Sequence, residues 1–112
     1  MKVSELCKAA GFTIVCDSGG DREVGGVYAC DLLSWVIGRA AENAALVTVM
    51  TNVNVIAVAV MADLSCVVLS EGVRLDDAAL LKARQNGVSV LSSDKPTFET
   101  CLELNRILNC AD

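Results

Sequence analysis

The sequence predicts a three-layer α/β fold, in which a mainly parallel sheet of about four to five strands lies between helices. Two features predict this class. Short runs rich in β-branched residues alternate with amphipathic segments, and short polar or Gly-rich turns join them. This alternation is typical of parallel strands that are connected by helices. The 112 residues contain no linker, repeat or low-complexity stretch, so we expect a single domain over residues 1–112.

The hydrophobic pattern and the turn residues predict the order of the elements. Gly11 and Gly87 each end a helix, because glycine tolerates the left-handed conformation found there. The predicted elements are a helix over 3–10, a strand over 12–15, a short strand over 27–29, a helix after Asp31, a strand over 45–50, a helix over 55–62, a strand over 66–69, a helix over 76–86, a strand over 88–91 and a last helix that starts within 94–97.

Three of these helices have informative ends or faces. Asp31 is a candidate N-cap, because its carboxylate can accept hydrogen bonds from free backbone N–H groups. Asn52 or Asn54 can cap the helix over 55–62, which is apolar on nearly every side and should therefore be central and buried. The predicted inner stripe of the last helix is Phe98, Cys101, Leu104 and Leu108.

Composition and charge argue against several classes of function. A net charge of −5 and a pI of about 4.6 disfavour nucleic-acid binding, which needs clustered Lys and Arg. Polar residues interrupt the apolar run over 44–69, so we interpret it as a buried strand–helix–strand unit and expect no membrane span. We expect no secretory signal and no cofactor. The absence of histidine makes catalysis less expected, although carboxylate chemistry stays open.

The cysteines are spread along the chain, at Cys7, Cys16, Cys30, Cys66, Cys101 and Cys110. Because none forms a C-x-x-C pair, they do not predict a zinc or iron–sulfur site. We expect reduced, mostly buried thiols in a cytoplasmic protein. Cys16 is the exception, because its position in a Gly-rich loop makes it a candidate for redox sensing.

Polar loops follow the predicted strands and form a candidate ligand site. In open parallel sheets, ligands collect beyond the carboxyl ends of the strands. The loops over 16–26, 51–54, 70–72 and 92–95 should form this rim. The candidate ligand-binding residues are Asp21, Arg22, Gly25, Gly26, Thr51, Asn52 and Asn54. Turns and helix caps favour the same residue types, so structural roles are the alternative. The glycines match neither GxxxxGK[ST] nor a helix-opening GxGxxG, which argues against a nucleotide-hydrolysing or kinase site.

Tyr28 and Trp35 are the candidate interface residues. Trp35 is the only tryptophan and lies in a predicted apolar helix that closely follows Tyr28. Aromatic residues are enriched in protein interfaces, so this region either packs in the core or forms a homodimer interface.

A resemblance to the DRTGG domain family along nearly the whole chain is carried by three segments. They are DREVGG over 21–26, CDLLSWVIG over 30–38 and TVMTNVNVIAVA over 48–59. Two positions depart from the family pattern: Val24 replaces a Thr before the Gly pair, and Asn52 replaces a His that is common there. A ligand that relatives hold at these positions would be bound differently here, or not at all.

The resemblance implies a fold similar to the N-terminal domain of HPr kinase/phosphorylase. It also implies a regulatory and dimerising role, as beside the catalytic modules of phosphotransacetylases and CBS-domain pyrophosphatases. We therefore expect a stand-alone, non-catalytic homodimer from the cytoplasm of a bacterium or archaeon, with an enzyme or kinase as partner and a small anionic ligand such as a nucleotide. Two alternatives stay open: a metal-dependent phosphate-ester enzyme that uses Asp17 or Asp21, and a redox-responsive adaptor that uses Cys16.

Overall fold

The computed structural model describes residues 1–109, which form one five-stranded sheet with five helices. In chain order the elements are α1 (Val3–Ala10), β1 (Thr13–Asp17), β2 (Gly26–Ala29), α2 (Leu33–Arg39), β3 (Ala44–Thr48), α3 (Val53–Met61), β4 (Cys66–Leu69), α4 (Asp77–Asn86), β5 (Ser89–Ser92) and α5 (Thr97–Asn109). The predicted order of elements is confirmed, and the boundaries move by a few residues. Cys110 lies outside the described residues.

The sheet has the strand order β1-β5-β4-β3-β2. Strands β2 to β5 are parallel to their neighbours, with partners such as Val27 and Ala45. β1 is antiparallel to β5, and Thr13 faces Ser92 in that pair. The α/β fold class is therefore confirmed, and the sheet is mixed because of one edge strand.

Two apolar cores, one on each face of the sheet, make the three layers. Helices α2, α3 and α4 cover one face, where Val36, Ile56 and Ala79 are fully buried. Helices α1 and α5 cover the other face and bury Leu6 and Leu104. All residues of β3 and β4 are buried, as expected for central parallel strands that are covered on both sides. Within residues 1–109, no helix has the length and apolar character needed to span a membrane.

The predicted inner stripe of α5 is wrong at Phe98, whose exposed fraction is 68%. The helix instead buries Thr100, Leu104 and Ile107. Thr100 is drawn inward because its hydroxyl lies 2.9 Å from the hydroxyl of Ser93, so the pair satisfies two buried polar groups. A stripe that contains a buried Thr cannot be recognised from hydrophobicity alone.

Helix α3 is also less buried than predicted. Val55 and Ile56 are fully buried, but Val60 and Met61 have exposed fractions of 50% and 67%. The reason is that α3 belongs to an outer layer and has only one face against the sheet. Its second apolar face is directed to solvent.

Candidate functional site

Strand direction decides which loops lie at the same end of the sheet. The carboxyl ends of the parallel strands β2 to β5 meet at one end, which we name the carboxyl rim. Because β1 runs the opposite way, the loop over 18–25 leaves it at the other end, the amino rim. This loop crosses the starts of other strands: the Gly19 N–H donates to Ser89 Oγ at 3.1 Å, and the Gly25 N–H donates to the Asn43 carbonyl at 2.8 Å.

The prediction that all the candidate ligand-binding residues lie at one rim is therefore wrong. Thr51, Asn52 and Asn54 lie at the carboxyl rim. The members of the other group, all at the amino rim, are Asp21, Arg22, Gly25 and Gly26. Strands of four or five residues separate the rims by roughly 15 Å, so the two groups do not form one site. The local pattern that predicts β1 as a strand carries no information about its direction.

At the carboxyl rim, the gap between β4 and β5 is closed by the protein itself. At this gap, α4 goes to one face of the sheet and α5 goes to the other. In open α/β sheets, ligands usually bind at the point where the connections diverge in this way. The Glu71 N–H donates to the Lys95 carbonyl at 2.8 Å, and the Gly72 N–H donates to the Ser93 carbonyl at 3.0 Å. The Glu71 carboxylate accepts from the Thr97 N–H at 2.6 Å. These contacts occupy the loops after both strands.

The rim after β3 remains open and carries uncommitted polar side chains. Asn52 is the N-cap of α3, and its side-chain oxygen accepts from the Asn54 N–H at 3.0 Å, so the predicted capping is confirmed. The Thr51 carbonyl accepts from the Asp76 N–H at 3.0 Å, which fixes the loop against α4. Within residues 1–109, the side chains of Thr51 and Asn54 have no hydrogen-bond partner, and Asn54 is exposed. These two side chains are free to contact a ligand.

Asp31, at the end of β2, does not cap α2, so that prediction is wrong. Leu32 holds the N-cap position, without a side-chain cap. The Asp31 carboxylate instead accepts from Thr48 Oγ1 at 2.7 Å and from the Val49 N–H at 2.9 Å. It thereby joins the loop after β2 to the end of β3 and supports the open part of the carboxyl rim.

Arg22 binds protein groups on three sides at the amino rim. Its guanidinium donates to the Leu64 carbonyl at 2.9 Å and to Asn43 Oδ1 at 2.7 Å, and it lies 3.0 Å from the Asp63 carboxylate. Asn43 and Asp63 both have positive φ, at 65° and 54°. Neither partner is predicted from the sequence, although Asn and Asp are residue types that tolerate a positive φ in tight turns. Arg22 thus ties the Gly-rich loop to the starts of β3 and β4.

Asp21 also has a structural role, at the start of α1. Its carboxylate accepts from the Ser4 N–H at 2.9 Å and from Ser4 Oγ at 2.7 Å. These bonds, aided by the charge of Lys2, hold the pKa of Asp21 below its usual range. Gly25 is held by Asn43, and Gly26 is the first residue of β2. The amino-rim group therefore acts as a framework whose polar atoms bind the protein.

Cys16, Asp17 and Asp21, which carry the two alternative functions, all lie near the amino rim. Cys16 has an exposed fraction of 5%, and its thiol donates to Ser18 Oγ at 3.3 Å. Asp17 is exposed at the end of β1. Within residues 1–109, no three Cys, Asp or Glu side chains are grouped so that they could hold a metal ion.

The two candidate interface residues have different environments. Tyr28 is partly buried and packs against the core under α2, α3 and α4. Trp35 has an exposed fraction of 48%, and the Arg39 guanidinium lies 3.8 Å from the centre of its ring. Trp35 therefore lies on the surface of α2, where an aromatic ring is available to a partner.

A family model for the DRTGG domain matches residues 5–107. The chain belongs to the DRTGG domain family. The predicted resemblance is thereby confirmed over nearly the whole chain. Comparison with curated proteins gave no match.

A solved structure supports the same fold for this DRTGG domain. It contains the CBS and DRTGG domains of the regulatory region of Clostridium perfringens pyrophosphatase, in complex with the activator diadenosine tetraphosphate. The TM-score is 0.71 at 8% sequence identity, and the match covers 91% of this chain but 45% of that one. At this identity the likeness shows the fold alone. The DRTGG domain spans less than half of the regulatory region that it matches.

Proposed function

We propose that this DRTGG domain is a non-catalytic regulatory module that binds a small anionic ligand, such as a nucleotide, and dimerises through α2. One observation carries the proposal: the fold matches a regulatory region that was solved with a dinucleotide activator. The activity that the domain controls belongs to a catalytic partner, an enzyme or a kinase. A cytoplasmic location in a bacterium or archaeon fits this role.

The ligand site that the geometry favours is the open carboxyl rim beside α3. Among residues 1–109, Thr51 and Asn54 offer a hydroxyl and an amide that have no protein partner. Thr51 lies just before the N-cap of α3 and Asn54 lies in its first turn, where the helix dipole favours a negatively charged group. Asn52 keeps its oxygen on the helix cap, but its amide N–H groups remain available. The amino-rim group, including Arg22, supports the fold of this domain and does not contact the ligand.

Ligand binding is tested by a thermal-shift screen against AMP, ADP, ATP and diadenosine tetraphosphate, followed by calorimetry. A nucleotide at about a hundred times its Kd should stabilise the fold by about 2.7 kcal/mol, which is on the order of 10 °C for a domain of this size. The double variant Thr51→Val, Asn54→Ala should weaken binding at least tenfold. Gln85→Ala, an exposed change near the far end of α4, is the matched control. No shift with any nucleotide, or equal binding by the double variant, would contradict the proposed site.

The dimer surface that we propose is the outer face of α2 together with that of α3. These neighbouring helices expose large apolar side chains. They are Leu32, Trp35, Ile37, Val53, Val60 and Met61. Apolar exposure on neighbouring helices is typical of a surface that a partner covers, and a second copy of the same surface makes a symmetric interface.

Sedimentation velocity over a dilution series tests the dimer. Trp35→Ser should shift the population toward monomer, because it removes the largest apolar side chain from the proposed interface. Phe98→Ser is the matched control, since Phe98 is also a surface-exposed aromatic residue but lies on α5, on the other face of the sheet. A wild-type protein that is monomeric at every concentration, or equal dissociation by both variants, would refute the interface.

A further inference from the structure

A cavity of about 310 Å³ lies beside α1, over the β1–β5 pair, and none of the proposed roles uses it. Val3 of α1, Ile14 of β1 and Leu91 of β5 form its apolar wall, and the carboxylates of Asp17 and Asp21 lie at one end. We name this cavity the α1–β1 groove. Its volume is at the lower end of the range for sites that bind small molecules.

The groove exists because the helices on this face leave β1 uncovered. α5 packs over β2 and β3, and α1 packs against α5. Ile14 faces Leu91 across the β1–β5 pair, so their side chains share one face of the sheet. Leu91 is 1% exposed, whereas Ile14 is 53% exposed. An apolar wall that is buried at one end and open at the other is suited to the apolar part of a ligand.

The charge at the groove is negative. Asp17 forms no ion pair within residues 1–109, and it faces Ser89 at the start of β5. Asp21, like any ordinary carboxylate, is ionised at neutral pH, and its two bonds from Ser4 lower its pKa further. A positive group near Asp21 is the Lys2 ammonium, which lies 3.5 Å from the Asp21 backbone carbonyl and does not line the groove. Among the described residues that line the groove, the charged ones are Asp17 and Asp21, so the lining carries negative charge.

We propose that the α1–β1 groove binds a small amphiphilic cation, with its apolar part against Val3, Ile14 and Leu91 and its positive group at Asp17 and Asp21. The carboxylates would repel an anion, so this ligand differs in charge from the nucleotide proposed for the carboxyl rim. The two sites lie on different parts of the molecule, and each can be present without the other.

Three probes with the same phenylethyl body test the proposal: phenethylammonium, neutral 2-phenylethanol and anionic 3-phenylpropionate. Each is titrated into the ¹⁵N-labelled protein, and amide shifts are followed. We expect phenethylammonium to shift the amides of Ser4, Gly20 and Leu91 in a saturable way, with a Kd on the order of a millimolar for a probe this small. The neutral probe should bind more weakly, and the anion should bind weakest.

Two carboxylate variants separate binding in the groove from general attraction to an acidic protein. Asp17→Asn removes an exposed charge that has no side-chain partner in the described part of the chain, and it should weaken binding of the cation about five-fold. Asp94→Asn removes an exposed charge in the loop after β5, at the opposite rim, and should leave the affinity unchanged. The proposal is overturned if no probe shifts these amides, if the anion binds as well as the cation, or if both variants weaken binding equally.

Discussion

Replacing Arg22 tests whether the DREVGG segment is a framework or a ligand site. Arg22→Met keeps most of the aliphatic packing and removes the guanidinium. Two of the acceptors that would lose a donor are held firmly: the Leu64 carbonyl at 2.9 Å and Asn43 Oδ1 at 2.7 Å. The third partner, the Asp63 carboxylate, is 61% exposed and would be solvated by water, so its ion pair contributes little.

The expected loss of stability follows from these contacts. A hydrogen bond to a charged group contributes about 1.5–3 kcal/mol, and the Arg22 side chain is 31% exposed, which reduces that value. Two such bonds, discounted for solvent, give about 3 kcal/mol for Arg22→Met. For a domain of this size, that is a fall in Tm on the order of 10 °C.

Urea unfolding without any ligand measures this loss directly. Arg84→Met is the matched control, because Arg84 is exposed on α4 and has no ion pair within the described residues 1–109; we expect less than about 0.5 kcal/mol for it. A double-mutant cycle with Asn43→Ala should give a coupling energy of about 1 kcal/mol or more. If Arg22→Met unfolds like the wild type but loses nucleotide binding, the framework role is refuted and the segment is a ligand site.

Three further predictions test the packing. Leu104→Ala should lower the free energy of unfolding in urea by about 3 kcal/mol, whereas Phe98→Ala on the exposed side of α5 should lower it by less than about 0.5 kcal/mol. Equal losses would refute the conclusion that α5 buries Leu104 and exposes Phe98. Gly19→Ala should destabilise the fold by about 1–3 kcal/mol, since the new Cβ would lie 2.8 Å from a backbone nitrogen of β5. Gly38→Ala in α2 meets no atom within 4 Å and should stabilise the fold by about 0.5–1 kcal/mol. Thermal melts check both values, and a Gly19→Ala protein that melts at or above the temperature of Gly38→Ala would contradict them. Because the pKa of Asp21 is lowered in the folded state, its stabilisation is present above the unfolded pKa and is lost as the pH falls. The unfolding curves of wild type and Asp21→Asn should therefore converge below about pH 4, and a constant gap down to pH 2 would contradict the assigned role.

The sequence predicts most of this fold because its elements depend on local patterns. The β-branched runs, and the glycines at positions 11 and 87 with φ of 72° and 67°, define strands and helix ends without reference to the rest of the chain. The direction of β1 depends instead on its pairing with β5, which is remote in sequence. Because local patterns do not reveal the direction of β1, they also do not show that the candidate site residues lie at two different rims.

The side-chain errors have a similar physical origin. Asp31 has the residue type and position of a helix cap, but the end of β3 offers it two donors that the local sequence does not reveal. Thr100 faces inward because Ser93 supplies a hydroxyl partner. In each case a polar group is satisfied by a residue from another element, and patterns within one element cannot show such a partner.

The pairing of β1 with β5 has a consequence for synthesis of the protein. β1 is made first among the strands, yet its partner is made last, and β2, β3 and β4 lie between them in the chain. During synthesis, β1 therefore remains unpaired until β5 has emerged from the ribosome. Until then, Ile14 and Val15 can contact other unfolded chains. Contacts so distant in sequence slow folding, because a long loop must close before they form. Completion of the sheet is thus expected to be a late step of folding, and the unfinished chain is most vulnerable to aggregation at this edge.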